Sequence, residues 1–133
     1  MGRRSVDREI VIKSPREEVW RALTQGDRLG AWLGAEVEID PAPGRPLFVR
    51  WIDGTVRRGL IEVVEPPRRL SFRWRPVSHT SEGFRVGEAS RVEFLLEEVP
   101  TGTRLTVVEE PLALEPDSRS QAADVRSQLL ARA

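Results

Sequence analysis

Few side chains in this chain could carry chemistry. The one histidine, His79, has the pKa range of a general base, but it lies in the polar stretch PVSHTSEGFRVG, where a lone imidazole is ordinarily just solvated. Arg50 and Arg57 sit in or beside apolar runs, where a guanidinium can hold a ligand carboxylate through charge-assisted hydrogen bonds; salt bridges at a rim or surface are the plainer reading. Cysteine and tyrosine are absent, which removes disulfides, thiolate metal sites and nucleophiles of either type. Nor is there a His-Glu-x-x-His pair, a Gly-rich phosphate loop or a nucleophile elbow, so no metal or other cofactor is expected. What remains is apolar contact. Of the four tryptophans, Trp20 and Trp74 read as packing, whereas Trp32 and Trp51 read equally well as core or as the lining of a cavity.

Charge points away from large polyanions. The 21 basic and 21 acidic residues cancel and are interspersed, which argues against nucleic acid or a membrane surface as partner. All the basic residues but Lys13 are arginine, so surface pairing is well supplied and lysine nucleophiles are not. The apolar run Ile10 to Ile12 is far too short for a signal peptide or a membrane span, and the expected location is the cytoplasm. At 133 residues the whole chain, 1–133, reads as one domain able to bury a core without staples, as a monomer or weak dimer.

A sheet must position these residues. Its organising stretch is GLIEVVEPPRRLSFRW, from Gly59 to Trp74. Gly59, Ile61 and Val63 alternate with Leu60, Glu62 and Val64, and after the turn Leu70, Phe72 and Trp74 alternate with Ser71, Arg73 and Arg75. Pro66 and Pro67 break the ladder, so the second strand restarts near Arg69. Arg57 shares the parity of Gly59 and Ile61, which points it toward the covered side.

The remaining elements follow in order. Residues 5 to 13 alternate as a first strand. Ser14, Pro15 and Glu17 spell a helix start with a capping box, and Gln25-Gly26 ends that helix. Asp27 can cap a second short helix, stopped at Gly34. Val37 and Ile39 belong to a strand, LFVRWI at 47 to 52 to another, and Asp53-Gly54 signals a type I′ hairpin. Residues 76 to 87 lack a period and are expected as a long loop. Val92, Phe94 and Leu96, then Leu105 and Val107 across the Thr101-Gly102 turn, form the last strands, with Arg73, Arg75, Arg91, Glu93, Glu97 and Arg104 on a solvated face. From Asp117 or Ser118 a final helix carries Ala122, Val125, Leu129 and Leu130 as an apolar stripe. A curved antiparallel sheet with one apolar face has to lay that face over this helix. The expected class is therefore α+β, a helix-grip: six to seven strands over a C-terminal helix, with two short helices after the first strand.

Three segments, IKSPREEVWRALT with the following AWLG, RGLIEVVEPPRRLSFRW, and SRVEFLLEEVPTGTRLTVVEE, together resemble the START-like or SRPBCC superfamily. Within it they are similar to bacterial proteins related to the C-terminal domain of the activator of the heat-shock-chaperone ATPase. The resemblance runs from about Val6 to Glu110; the final helix departs from it by carrying no aromatic residue. It implies a hydrophobic cavity between sheet and last helix, with Trp32, Leu33, Phe48, Trp51, Arg57, Ile61, Phe72, Trp74, Phe94, Val125 and Leu129 as the expected ligand-binding residues, and no catalytic or metal residue. The thin stripe of the final helix further suggests a lid. A binding protein for an apolar or lipid-like small molecule is the leading functional expectation. A chaperone-related protein-interaction module with a role in stress response, and a cyclase- or hydrolase-type enzyme using the same cavity, are the alternatives, because this fold alone does not fix a function.

Overall fold

The structure, a computed structural model, describes residues 6–112. Eight strands and two helices follow one another: β1 (Val6–Ile12), α1 (Arg16–Thr24), α2 (Gly26–Leu33), β2 (Ala35–Ile39), β3 (Pro46–Trp51), β4 (Val56–Glu65), β5 (Arg69–Thr80), β6 (Gly83–Val86), β7 (Ser90–Val99) and β8 (Gly102–Pro111). All pair antiparallel in one sheet ordered β1-β8-β7-β5-β4-β3-β2, with β6 attached to β5 off this path. The sheet curls into a half-barrel, and α1 and α2 cover part of its concave face: the α+β helix-grip architecture. The expected final helix, with Val125, Leu129 and its lid role, lies outside the described residues.

Strand alternation places the core. Leu47, Val49, Ile61, Leu70, Phe72, Val92, Phe94, Leu96 and Leu105 are buried on the concave side, joined there by Val19 and Leu23 of α1 and Leu29 of α2. On the convex side the expected charges pair across strands: Glu62 bridges Arg73 and Arg91 at 2.9 Å each, and Arg104 meets Glu97 at 2.7 Å. The Glu62 bond holds the Arg91 guanidinium above its ordinary pKa.

Several local expectations need correction. The alternation of β4 fails after Ile61, which faces Phe72, because Val63 rather than Glu62 faces Ser71. This bulge turns Val64, not Val63, toward the core and leaves Ser71 buried. The capping box does not form. Pro15, with φ −62° and ψ 153°, is itself the N-cap, its carbonyl accepts the amides of Glu18 and Val19, and Ser14 lies one residue too early. What Ser14 contributes is its own carbonyl, which accepts the buried Thr103 hydroxyl at 2.7 Å. Likewise α2 begins at Gly26 with Gln25 as its N-cap, placing Asp27 inside the first turn.

The Asp53-Gly54 turn is not type I′, which needs positive φ at both central residues, whereas no non-glycine residue here has positive φ. Gly54 N–H bonds Trp51 O at 3.0 Å, Trp51 N–H bonds Thr55 O at 2.9 Å, and Gly54 alone is left-handed at φ 92°. These features define a three-residue loop with a bulge. Residues 76 to 87 are not a loop either. They complete β5 and form β6, pairing Val77 with Val86 and His79 with Phe84. Cross-strand bonds hold this hairpin together with the Glu82 N–H donated to the Thr80 hydroxyl, and its side chains from Ser78 to Arg85 stay exposed, so no buried face imposes a period.

Candidate functional site: the aromatic concave wall

Beyond the part covered by the helices, the concave face is a wall of aromatic rings. Trp51 of β3 meets Trp74 of β5 edge-on at 6.3 Å between centroids, Trp74 meets Phe72 at 5.1 Å, Phe72 meets Phe94 of β7 at 5.8 Å, and Phe94 meets Trp32 of α2 at 6.2 Å. All four contacts are tilted or T-shaped, the arrangement in which ring edges meet neighbouring faces favourably. The row is buried at its middle and more open at both ends: Phe72 and Phe94 are core, Trp51 and Trp74 are half-buried, and Trp32 is 46% exposed. Leu33 packs against the same core from α2, and Ile61 lies within it.

One end of the row is polar. Glu109 of β8 faces the concave side, in register with Val92, and its Oε2 accepts the Ser90 hydroxyl at 2.7 Å and the Trp74 indole N–H at 3.1 Å. Arg57 lays its guanidinium over the Trp74 ring, 4.8 Å from Cζ to the centroid, with Nη1 3.8 Å from the same carboxylate oxygen. The stacking and the charge together fix the arginine head, although 3.8 Å is too long for a hydrogen bond. Four side chains from β4, β5, β7 and β8 thus form one charge-balanced group beside an apolar surface.

The structure therefore places Trp32, Leu33, Trp51, Arg57, Ile61, Phe72, Trp74 and Phe94 on or just behind one wall. Phe48 is not among them: its parity puts it on the convex face, where the Arg58 guanidinium lies 5.3 Å from its ring. Arg50 shares that face and is bound to Glu36. His79 is exposed on the β5–β6 hairpin beside Phe84, apart from the wall. Val125 and Leu129 lie outside the described residues. Sequence reasoning missed Glu109 and Ser90. The signal was available, since Glu109 continues the inward parity of Leu105 and Val107 and Ser90 that of Val92 and Phe94, but a polar residue at a strand end reads as surface.

Concavities accompany the wall among the described residues. One of about 180 Å³ opens between the helices and the β1–β8 side, lined by Ile12, Val19, Leu23, Trp32 and Leu105 with Glu18 at its edge. A broader groove of about 620 Å³ lies along α2, β2 and β3, lined by Asp27, Glu36, Glu38, Phe48 and Arg50. No cluster of three or more His, Asp or Glu suited to a metal occurs among the described residues, and no helix there is long and apolar enough to cross a membrane.

A curled antiparallel sheet gripped by helices, with an aromatic concave face, defines the START-like or SRPBCC class. Within it the chain belongs to the family of Activator of Hsp90 ATPase homolog 1-like proteins, whose model matches residues 13–132. Among solved structures it is similar to protein MLL2253 from Mesorhizobium loti, with 30% identity and a TM-score of 0.69 over 95% of this chain and 88% of that one. It is also similar to DynU16, a protein of the dynemicin biosynthetic locus, with 26% identity and a TM-score of 0.69 over 96% of this chain but 45% of that one. CalU16 from Micromonospora echinospora is 28% identical, with a TM-score of 0.60 over 84% of this chain and 62% of that one. No match is found among curated proteins.

Proposed function

We propose that this protein is a cytoplasmic binding module for a small apolar ligand, which lies on the concave wall against Trp51, Trp74 and Trp32. The observation that carries this reading is the row of ring contacts from Trp51 to Trp32, which ends beside Arg57 and Glu109. A largely apolar concave surface with a few convergent polar groups is the usual make-up of a small-molecule site. Titration with the uncharged dye N-phenyl-1-naphthylamine tests it. Saturable enhancement of dye fluorescence, weakened at least severalfold by Trp51→Ala, is the expected result; non-saturable enhancement, or none, overturns the reading.

The family description favours a second reading, in which the protein acts on a heat-shock chaperone during stress. Its test is the ATPase rate of an Hsp90-type chaperone with and without this protein. A catalytic reading of the same wall has Glu109 as its titratable group and predicts a changed product, rather than recovered ligand, after incubation.

A further inference from the structure

We infer that the ligand's polar end is uncharged and sets a hydrogen-bond acceptor beside a donor, as a carboxamide or a hydroxyl next to a carbonyl does. The inference rests on the concave wall being the ligand site and specifies the chemistry recognised at its polar end.

Taken alone, Arg57 is a carboxylate anchor. Its surroundings argue otherwise. Glu109 Oε2 stands 3.8 Å from Arg57 Nη1, so much of the guanidinium charge is already balanced. A ligand carboxylate drawn to Arg57 would lie against the Glu109 carboxylate, and like charges at such a separation repel strongly in a half-buried site. A ligand ammonium drawn to Glu109 meets the mirror-image penalty from Arg57. Arg8, on the same face of β1 opposite Val107, adds positive charge, but it is exposed to solvent and correspondingly screened.

The hydrogen-bonding capacity left at the site has both signs. Among the described residues Arg57 is held by stacking on Trp74 and by charge, at a distance that makes no hydrogen bond, which leaves its N–H donors for a ligand. Glu109 receives Ser90 and Trp74 through Oε2 alone, which fixes the carboxylate and leaves Oε1 as an acceptor among the described residues. A donor over the face of Trp74 and an acceptor beside it at the indole N–H, 3.8 Å apart at their nearest, match a flat ligand bearing the complementary pair. A hydrocarbon would leave both unpaired, and a site with unsatisfied polar groups discriminates against such ligands.

The test uses probes with one ring system and three ends: 2-naphthamide, 2-naphthoate and naphthalene, titrated by equilibrium dialysis at pH 7 into the full chain. The amide should bind about tenfold or more tighter than the carboxylate, and Glu109→Gln, which removes the negative charge at nearly constant shape, should shrink that ratio by about tenfold. Arg57→Gln provides a second variant should the first fail to fold: amide affinity should fall toward that of naphthalene, with naphthalene itself unchanged. Tighter binding of naphthoate to the unaltered protein, or a ratio that neither variant moves, overturns the inference while leaving the apolar site standing. If none of the three probes binds, the site and the inference both fall.

Discussion

The indole N–H of Trp74 on β5 reaches across the intervening strand β7 to Glu109 on β8, a hydrogen bond of 3.1 Å. It ties together strands 35 residues apart in the chain, and the carboxylate it meets also binds Ser90. Trp74→Phe keeps an aromatic ring but loses the bond and part of the indole's packing, and should cost about 1–2 kcal/mol; Glu109→Ala should cost about 1–2 kcal/mol, because Trp74 and Ser90 both lose their acceptor. In a urea-denaturation cycle the double variant should fall short of the sum by about 0.5–1.5 kcal/mol. Strict additivity would show that the bond contributes nothing to the folded state.

Gly59 faces Trp74 in the β4–β5 ladder, where a Cβ would overlap the carbonyl oxygen of Arg73 and crowd Trp74 Cα. The obstacle is backbone, so no rotamer can relieve it. Gly59→Ala should destabilise by about 3 kcal/mol or more, seen in chemical denaturation, since it forces the central strands apart. Gly34→Ala, in open space at φ 70°, should cost only about 1–2 kcal/mol.

The helix start offers a pair of opposite outcomes. Ser14→Ala should change stability by less than about 0.5 kcal/mol, because Pro15 is the N-cap. Thr103→Val removes the hydroxyl that satisfies the Ser14 carbonyl in a fully buried position, and should cost about 1–2 kcal/mol in the same thermal or urea assay. A reversed order of the two variants would restore Ser14 as the cap.

Phe72 is 3% exposed and touches rings on both sides, whereas Trp74 is half-buried. Phe72→Ala should therefore cost about 3–5 kcal/mol and Trp74→Ala clearly less, despite the larger ring removed. Equal losses would make Trp74 part of the core instead of the wall.

Glu18 carries the clearest expected pH signature. Hydrogen bonds from Arg21, and from Arg28 on α2, hold its carboxyl below the ordinary glutamate value. The folded form is thus the stronger acid, so the stabilisation is present above the unfolded pKa and fades as pH falls through the lower folded one. A carbon-13 titration of the carboxyl should show the depressed midpoint, rising toward the ordinary value in Arg28→Gln. An unshifted midpoint in the unaltered protein would mean that the α1–α2 tie is not populated in solution.

Where sequence reasoning failed, the physical reasons differ from element to element. Alternation identified the concave face wherever a buried layer enforces it, as with Leu70 and Phe72 or Phe94 and Leu96. It failed at Val63, because a bulge is a backbone event that the side-chain pattern of β4 does not encode. It failed again at the β5–β6 hairpin, whose ladder needs no buried side chain and so leaves no period to read. Phe48 was misassigned on hydrophobicity alone, although the parity of Leu47 and Val49 already puts it on the other face. Glu109 shows the converse error: parity placed it on the wall, and its charge hid it.

Helix α2 lies so close to β2 that a Cβ on Gly26 or Gly30 would overlap the carbonyl oxygens of Val37 and Ala35. Such oxygens lie in the plane of the sheet, so a helix that meets them is parked against the rim of β2, the last strand on that side. The opposite rim, β1, pairs only with β8 among the described residues. Growth of the sheet by strand addition is therefore blocked at β2, while β1 and the outer edge of the short strand β6 stay open among the described residues. The glycines of α2 thus act as a stop on one rim, by letting a helix sit where a further strand would have to pair.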